Sequence, residues 1–166
     1  GSDRLAEAAS LLSLADNDVV VNLQGDEPFV DFNDINNVAD LLKDRAVDMG
    51  TLYADLKIED VINPNVVKIW TKKNGQVTDF SRNEEKTSDK ELTRSQHLGI
   101  YAYSVKFLKE FINWKQTENE KMESLEQLRA LEGGKNIYAK KSVAKIHLGI
   151  DTPEDLHLAH KLIDND

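Results

Sequence analysis

The chain has 166 residues, a net charge of -9 and no cysteine, with 40% hydrophobic and 31% charged residues. The acidic balance excludes a sequence-independent grip on nucleic acid, which needs clustered Lys and Arg facing phosphates, and the lack of thiols excludes disulfides, thiolate chemistry and cysteine-based zinc sites. No apolar run nears the roughly 20 residues of a membrane span, and "GSDRLAEAAS" lacks the basic and apolar regions of a signal peptide, so one soluble, cytoplasmic domain spanning residues 1–166 is expected.

Taken in order, Leu5, Ala8, Ala9 and Leu12 form one stripe of a helix over residues 4–14. A strand follows at residues 19–23, then a helix carrying Ile35, Val38, Leu41 and Leu42, then a strand in "VDMGTLYADL". Asn74-Gly75 between two β-rich runs is a strong hairpin signal. Residues 82–96 are polar and read as an exposed loop, and "HLGIYAY" reads as a strand ending at Ser104, which caps a helix bearing Val105, Leu108 and Ile112. "ESLEQLRALEGG" reads as a helix stopped by Gly133-Gly134. "NIYAKKSVAKIHLGI" offers two short strands, and in "DTPEDLHLAHKLI" Thr152 is the N-cap with Pro153 at the first helical position. Helix and strand alternate, which favours an α/β sheet over a bundle or sandwich.

The stretch "DVVVNLQGDEPFV" runs from β-branched residues straight into an amide, a glycine and two acids. Ligands bind outside the carboxyl ends of strands in open α/β sheets, and "QGDEP" occupies such an end. Gly25 is expected to allow a sharp turn, and Pro28 bars the strand from continuing, which holds Asp26 and Glu27 at a crevice mouth. The plain alternative is an acidic turn. "HLGIDTPED" places Asp151 at a second junction of the same design. Two carboxylates at two strand ends could share one Mg2+, which takes one or two protein carboxylates and fills its other positions with water and phosphate. Asp151 reads equally as a helix-capping acid.

The motifs "VVVNLQGDEPFV", "HLGIYAYSVKFLKEFINW", "ESLEQLRAL" and "GIDTPEDL", in this order, resemble the 3-deoxy-manno-octulosonate cytidylyltransferases, and "SDRLAEAA" fits as well. The resemblance implies a mixed, mainly parallel nucleotidyltransferase-like sheet flanked by helices, with an inserted antiparallel hairpin. It implies attack of a 2-keto-3-deoxy sugar acid on the α-phosphate of CTP for lipopolysaccharide biosynthesis, with Mg2+ as cofactor and a homodimer as the working form. By that resemblance Asp26 and Asp151 match the catalytic, metal-binding acids. Gln24, Gly25, Arg82, His97, Tyr101, Glu126 and Gln127 match the substrate-binding positions. Arg82 departs from the pattern in that "SRNEEKTSDKE" has no proline or aromatic residue after it.

Plainer readings stand beside these. His97 could simply cap its strand, and Glu126 and Gln127 could face solvent from a helix that buries Leu125, Leu128 and Leu131. Tyr101 and Tyr103 are expected on opposite faces of their strand, one of them in the core. Trp70 and Trp114 read as core or interface aromatics, and His157 and His160 as a solvated helix face. The family's front strand and its glycine-rich basic loop, which cradles the CTP phosphates, have no counterpart in this sequence. The resemblance thus aligns the chain with the C-terminal two thirds of such an enzyme. Two alternatives stay open: a non-catalytic sugar-acid-binding or dimerisation module, and a cytidylyltransferase for a related sugar acid.

Overall fold

The computed structural model describes residues 1–44, 46–83, 91–150 and 152–164. Among the described residues six α-helices and six strands follow in the order α1 (Ser2–Leu11), β1 (Val19–Asn22), α2 (Phe32–Asp40), β2 (Met49–Ala54), β3 (Lys68–Thr71), β4 (Val77–Ser81), β5 (Thr93–Ser104), α3 (Val105–Phe111), α4 (Glu118–Glu123), α5 (Gln127–Glu132), β6 (Ile137–Lys141) and α6 (Pro153–Asp164). The strands form one mixed sheet in the order β4-β3-β5-β2-β6, with β1 also paired to β5.

The expected mixed sheet with flanking helices is present, but its pairing is not mainly parallel. β1, β2 and β3 all run against β5, and β4 runs against β3; among the described strands only β2 and β6 form a parallel ladder. Four strands do share a direction, and β5 runs counter to them through the middle, which converts most neighbours into antiparallel pairs.

Alternation along the strands builds a core on each face. One face carries Met49, Ile69, Phe80, Tyr101, Tyr103 and Ile137 against Ala6 of α1, Phe107, Leu108 and Phe111 of α3 and Leu128 of α5. The other carries Leu52, Ala54, Leu98, Ile100 and Ala102 beneath Val38, Leu41 and Leu42. α2 lies close enough to β2 that a Cβ on Gly50 would stand 3.0 Å from the Val38 carbonyl. Tyr101 and Tyr103, expected on opposite faces, instead share one, with ring centroids 6.0 Å apart, because residues two apart in a strand point the same way.

Local chemistry sets several boundaries. Ser104 Oγ accepts from the Phe107 N–H and starts α3. Thr152 Oγ1 accepts from the Asp155 N–H and the Asp155 carboxylate from the Thr152 N–H, which starts α6. The Asn74-Gly75 turn takes its glycine at φ +85°, as such turns require. From that turn the hairpin reaches back over the opposite end of the sheet: the Ala139 N–H donates to the Gly75 carbonyl at 2.9 Å, and Gln76 forms a bridge with Tyr138 of β6.

Three further expectations differ from the fold. β5 begins at Thr93, so the polar stretch at 93–96 is a strand paired to β3 rather than part of a loop. The helix expected through "ESLEQLRAL" is broken at Ser124, which takes a left-handed φ of 54° between α4 and α5. After β6 the chain leaves the sheet, and no second strand forms in residues 142–150. Among the described residues no helix is long and apolar enough to cross a membrane.

Candidate functional site

One edge of β5 is shared by two strands. β3 pairs with residues 93–96 and β1 with residues 101–104, so that among the described strands none pairs with residues 97–100 on that edge. The gap is the floor of a cavity of about 1020 Å³. Its walls come from the segment after β1, the β2–β3 connection, the α4–α5 corner and residues His147, Leu148, Gly149, Thr152 and Asp155.

The segment after β1 turns at Gln24, where the Glu27 N–H donates to the Gln24 carbonyl at 3.2 Å, and Gln24 Nε2 reaches the Gly99 carbonyl at 3.4 Å. Asp26 lines the cavity, and its carbonyl accepts the Ile150 N–H at 2.9 Å. Gly25 is not required by sterics: it has no positive φ, and a Cβ there would meet nothing within 4 Å. The turn is therefore an ordinary one, and the sharp glycine joint read from the sequence is not needed.

His97, 8% exposed, and Tyr101, 9% exposed, rise from β5 on the cavity side. His97 sits edge-on to Phe80 at 5.0 Å and tilted against Tyr101 at 5.4 Å. Burial lowers its pKa to about 3 and raises that of Tyr101 well above the usual phenol value, with the Tyr103, Glu126 and Glu27 side chains adding to the latter. The folded chain thus keeps His97 neutral down to about pH 3, while the unfolded chain protonates it below its ordinary value of about 6.5. Its contribution to stability is complete above pH 6.5 and lost as the pH falls toward 3, at about 1.4 kcal/mol per pH unit. Urea unfolding at pH 7, 6 and 5 should show the wild type losing stability faster than His97→Gln, and parallel profiles would refute a buried neutral histidine.

The break at Ser124 swings Glu126 and Gln127 into the cavity wall. Glu126 is held from both sides, by Ser2 Oγ at 2.8 Å and Arg129 Nη2 at 2.8 Å. Arg129 is itself buried against Glu120 at 3.1 Å and stacked over Phe111 at 4.2 Å. Gln127 is 5% exposed, and its Nε2 has no hydrogen-bond partner among the described residues. A buried amide donor without a partner costs about 1–3 kcal/mol, which a ligand acceptor would recover.

Arg82 lines the opposite wall. Its Nε donates to the Glu123 carbonyl at 2.9 Å and its Nη1 to the Pro64 carbonyl at 3.1 Å. The Glu123 carboxylate accepts from Ser81 Oγ, the Arg82 N–H and Asn83 Nδ2. Below them Lys68, fully buried, donates to the carbonyls of Asn63 at 2.6 Å and Arg82 at 3.0 Å. Asp34 fixes the other approach, accepting from Ser142 Oγ and from the N–H groups of Val143 and Ala144. That pins the start of the segment leading to His147, whose pKa is lowered by burial against the opposing pull of Asp34.

The structure thus brings Gln24, Asp26, Arg82, His97, Tyr101, Glu126 and Gln127 to one cavity, while Asp151 lies outside the described residues. The sequence reading missed Glu123, Lys68, Asp34 and Lys57. A lysine inside the apolar run "NVVKIW" was the one visible signal; the others carry none. Acids outnumber cations around the cavity: Asp26, Glu27, Asp60, Glu126 and Asp155 face Lys57 and Arg82. Among the described residues no cluster of three metal-ligating side chains is preformed.

Residues 1–137 match the cytidylyltransferase family. A 3-deoxy-manno-octulosonate cytidylyltransferase 2 of Actinobacillus pleuropneumoniae is 40% identical over 99% of this chain and 70% of its own length. A 3-deoxy-manno-octulosonate cytidylyltransferase of Idiomarina loihiensis is 42% identical over 98% of this chain and 69% of its own. The solved structure of a CMP:2-keto-3-deoxy-manno-octonic acid synthetase complexed with CTP superposes with a TM-score of 0.85 at 30% identity, covering 99% of this chain and 68% of that one.

Proposed function

The chain belongs to the 3-deoxy-manno-octulosonate cytidylyltransferase family, and from that membership we propose that it joins this 2-keto-3-deoxy sugar acid to the CMP portion of CTP. The sugar's anomeric hydroxyl attacks the α-phosphate and pyrophosphate leaves, a reaction in which positioning and charge neutralisation dominate. The observation that carries the reading is convergence. Gln24, Asp26, Arg82, His97, Tyr101, Glu126 and Gln127 come from four separate segments and meet at one cavity.

In this reading Gln24, Arg82, His97, Tyr101, Glu126 and Gln127 hold the sugar acid, with Arg82 meeting its carboxylate and Gln127 Nε2 donating to one of its oxygens. Gly25 leaves open space beside the turn. Two anionic substrates entering a cavity rich in acids need a cation, and the oxygen donors present suit Mg2+. Asp26 and Asp151 would hold it, and when bound it neutralises phosphate charge. The same membership supports a cytoplasmic homodimer serving lipopolysaccharide biosynthesis, the dimer being checked by light scattering.

The test is pyrophosphate release from CTP on mixing the chain with Mg2+ and 3-deoxy-manno-octulosonate, with an amino-substituted analogue and an acylneuraminate as competitors. Release with the octulosonate ahead of both competitors is expected. No release, with sugar binding retained in titration calorimetry, would replace the enzyme by a sugar-acid-binding module.

A further inference from the structure

β5 bulges where it faces β2. Thr51 pairs with Tyr101, but the next residue, Leu52, pairs with Leu98, so Gly99 and Ile100 have no opposite number. Bulges re-aim side chains beside sites of function, and this one lies on the cavity floor. It also leaves carbonyls to be satisfied. Three polar atoms of β5 converge on the buried hydroxyl of Thr51: the Ile100 carbonyl at 2.9 Å, the Leu98 carbonyl at 3.3 Å and His97 Nε2 at 3.0 Å.

A hydroxyl has one proton to give, and a carbonyl can only accept. If Thr51 gave its proton to His97, its oxygen would face two carbonyl oxygens with no hydrogen between them, in a site that is 0% exposed. The proton therefore goes to a carbonyl, and the contact with the ring must be a donation from nitrogen to oxygen. We infer that Thr51 is a positioning residue that locks His97 as its neutral Nε2–H tautomer, leaving Nδ1 to accept a hydrogen bond from a hydroxyl of the sugar acid.

His97 Nδ1 has no hydrogen-bond partner among the described residues. The Phe80 and Tyr101 rings flank the imidazole and restrict its rotation. Locked in this way, His97 selects for a hydroxyl. A carboxylate oxygen in the same place would meet a lone pair, so recognition of the acid group falls to other residues of the cavity. The inference rests on reading the cavity as a sugar-acid site, but the lock can be measured without any substrate.

The experiment is 15N NMR of the histidine rings in the whole chain, with His97 assigned by its loss in His97→Gln. The wild type should show a protonated Nε2 and an unprotonated Nδ1; a protonated Nδ1 would overturn the proposal before any variant is made. Thr51→Val keeps the shape and removes the hydroxyl, and should shift His97 toward a mixture of tautomers. It should also raise the KM for the sugar acid about tenfold with the KM for CTP unchanged, and Thr51→Ser should restore both readouts. Wild-type tautomer and wild-type KM in Thr51→Val would also overturn the proposal. A wild type that locks the tautomer but uses no sugar acid would sink the functional reading and leave the lock standing.

Discussion

Asp26→Asn is expected to reduce cytidylyl transfer by about 10³-fold and to leave the fold intact. The side chain and the backbone of this residue do separate jobs. Its carbonyl accepts the Ile150 N–H and ties the segment before α6 to the end of β1, and asparagine keeps that bond. The residue lines the cavity and its carboxylate has no hydrogen-bond partner among the described residues, so the substitution breaks no hydrogen bond among them. What it removes is a full negative charge where a cation is needed, and loss of one preorganised charge at a phosphoryl-transfer site costs about 10²–10³ in rate or more. The measurement is pyrophosphate release across a Mg2+ titration, beside thermal unfolding of the same sample. Activity within tenfold of wild type would remove Asp26 from the metal site. A lowered melting temperature would show that the acid serves the turn instead.

Asp34→Ala should cost about 4 kcal/mol of stability. Asp34 is 1% exposed and accepts from three donors of the chain just after β6. Hydrogen bonds to a charged group contribute about 1.5–3 kcal/mol each, and a donor left buried without a partner costs about 1–3 kcal/mol. Partial rehydration of the freed N–H groups keeps the total below the sum. Asp34→Asn retains an acceptor and should lose less than half as much. Urea unfolding gives both values, and a loss under about 1 kcal/mol for the alanine variant would mean that water replaces the carboxylate fully. The segment released runs on to His147 and Gly149 of the cavity wall, so sugar-acid binding should weaken along with stability.

Local chemistry was legible in the sequence. Thr152, Pro153 and Asp155 announce the start of α6, Ser104 that of α3 and Asn74-Gly75 the hairpin, because each acts on atoms within a few residues of itself. The start of β5 was not legible. Thr93, Arg94, Ser95 and Gln96 have no strand-like apolar pattern, and they become a strand because β3 supplies a ladder for them. The break at Ser124 was hidden because Leu125, Leu128 and Leu131 keep a helical spacing that begins directly after it. The direction of β5, which makes the sheet's pairs mostly antiparallel, is set by tertiary packing and leaves no mark on periodicity.

The same division holds at the cavity. Gln24, Asp26, His97, Glu126 and Gln127 stood out through motifs that resemble a family. Thr51, Glu123 and Asp34 act on partners many residues away, and nothing in their neighbourhoods distinguishes them from ordinary strand or helix residues; Lys68 alone was marked, by its place inside an apolar run.

The hairpin that folds back over β6 bears on how molecules of this chain meet one another. A sheet end with open N–H and C=O groups is a template on which a strand from another copy can grow, the first step toward fibres. Here Gly75 and Gln76 already occupy the backbone of β6 at Tyr138 and Ala139. The next two residues, Lys140 and Lys141, are exposed and charged. An incoming strand would have to displace the turn and then bury two ammonium groups, so one end of this sheet is guarded against edge-to-edge aggregation by its other end.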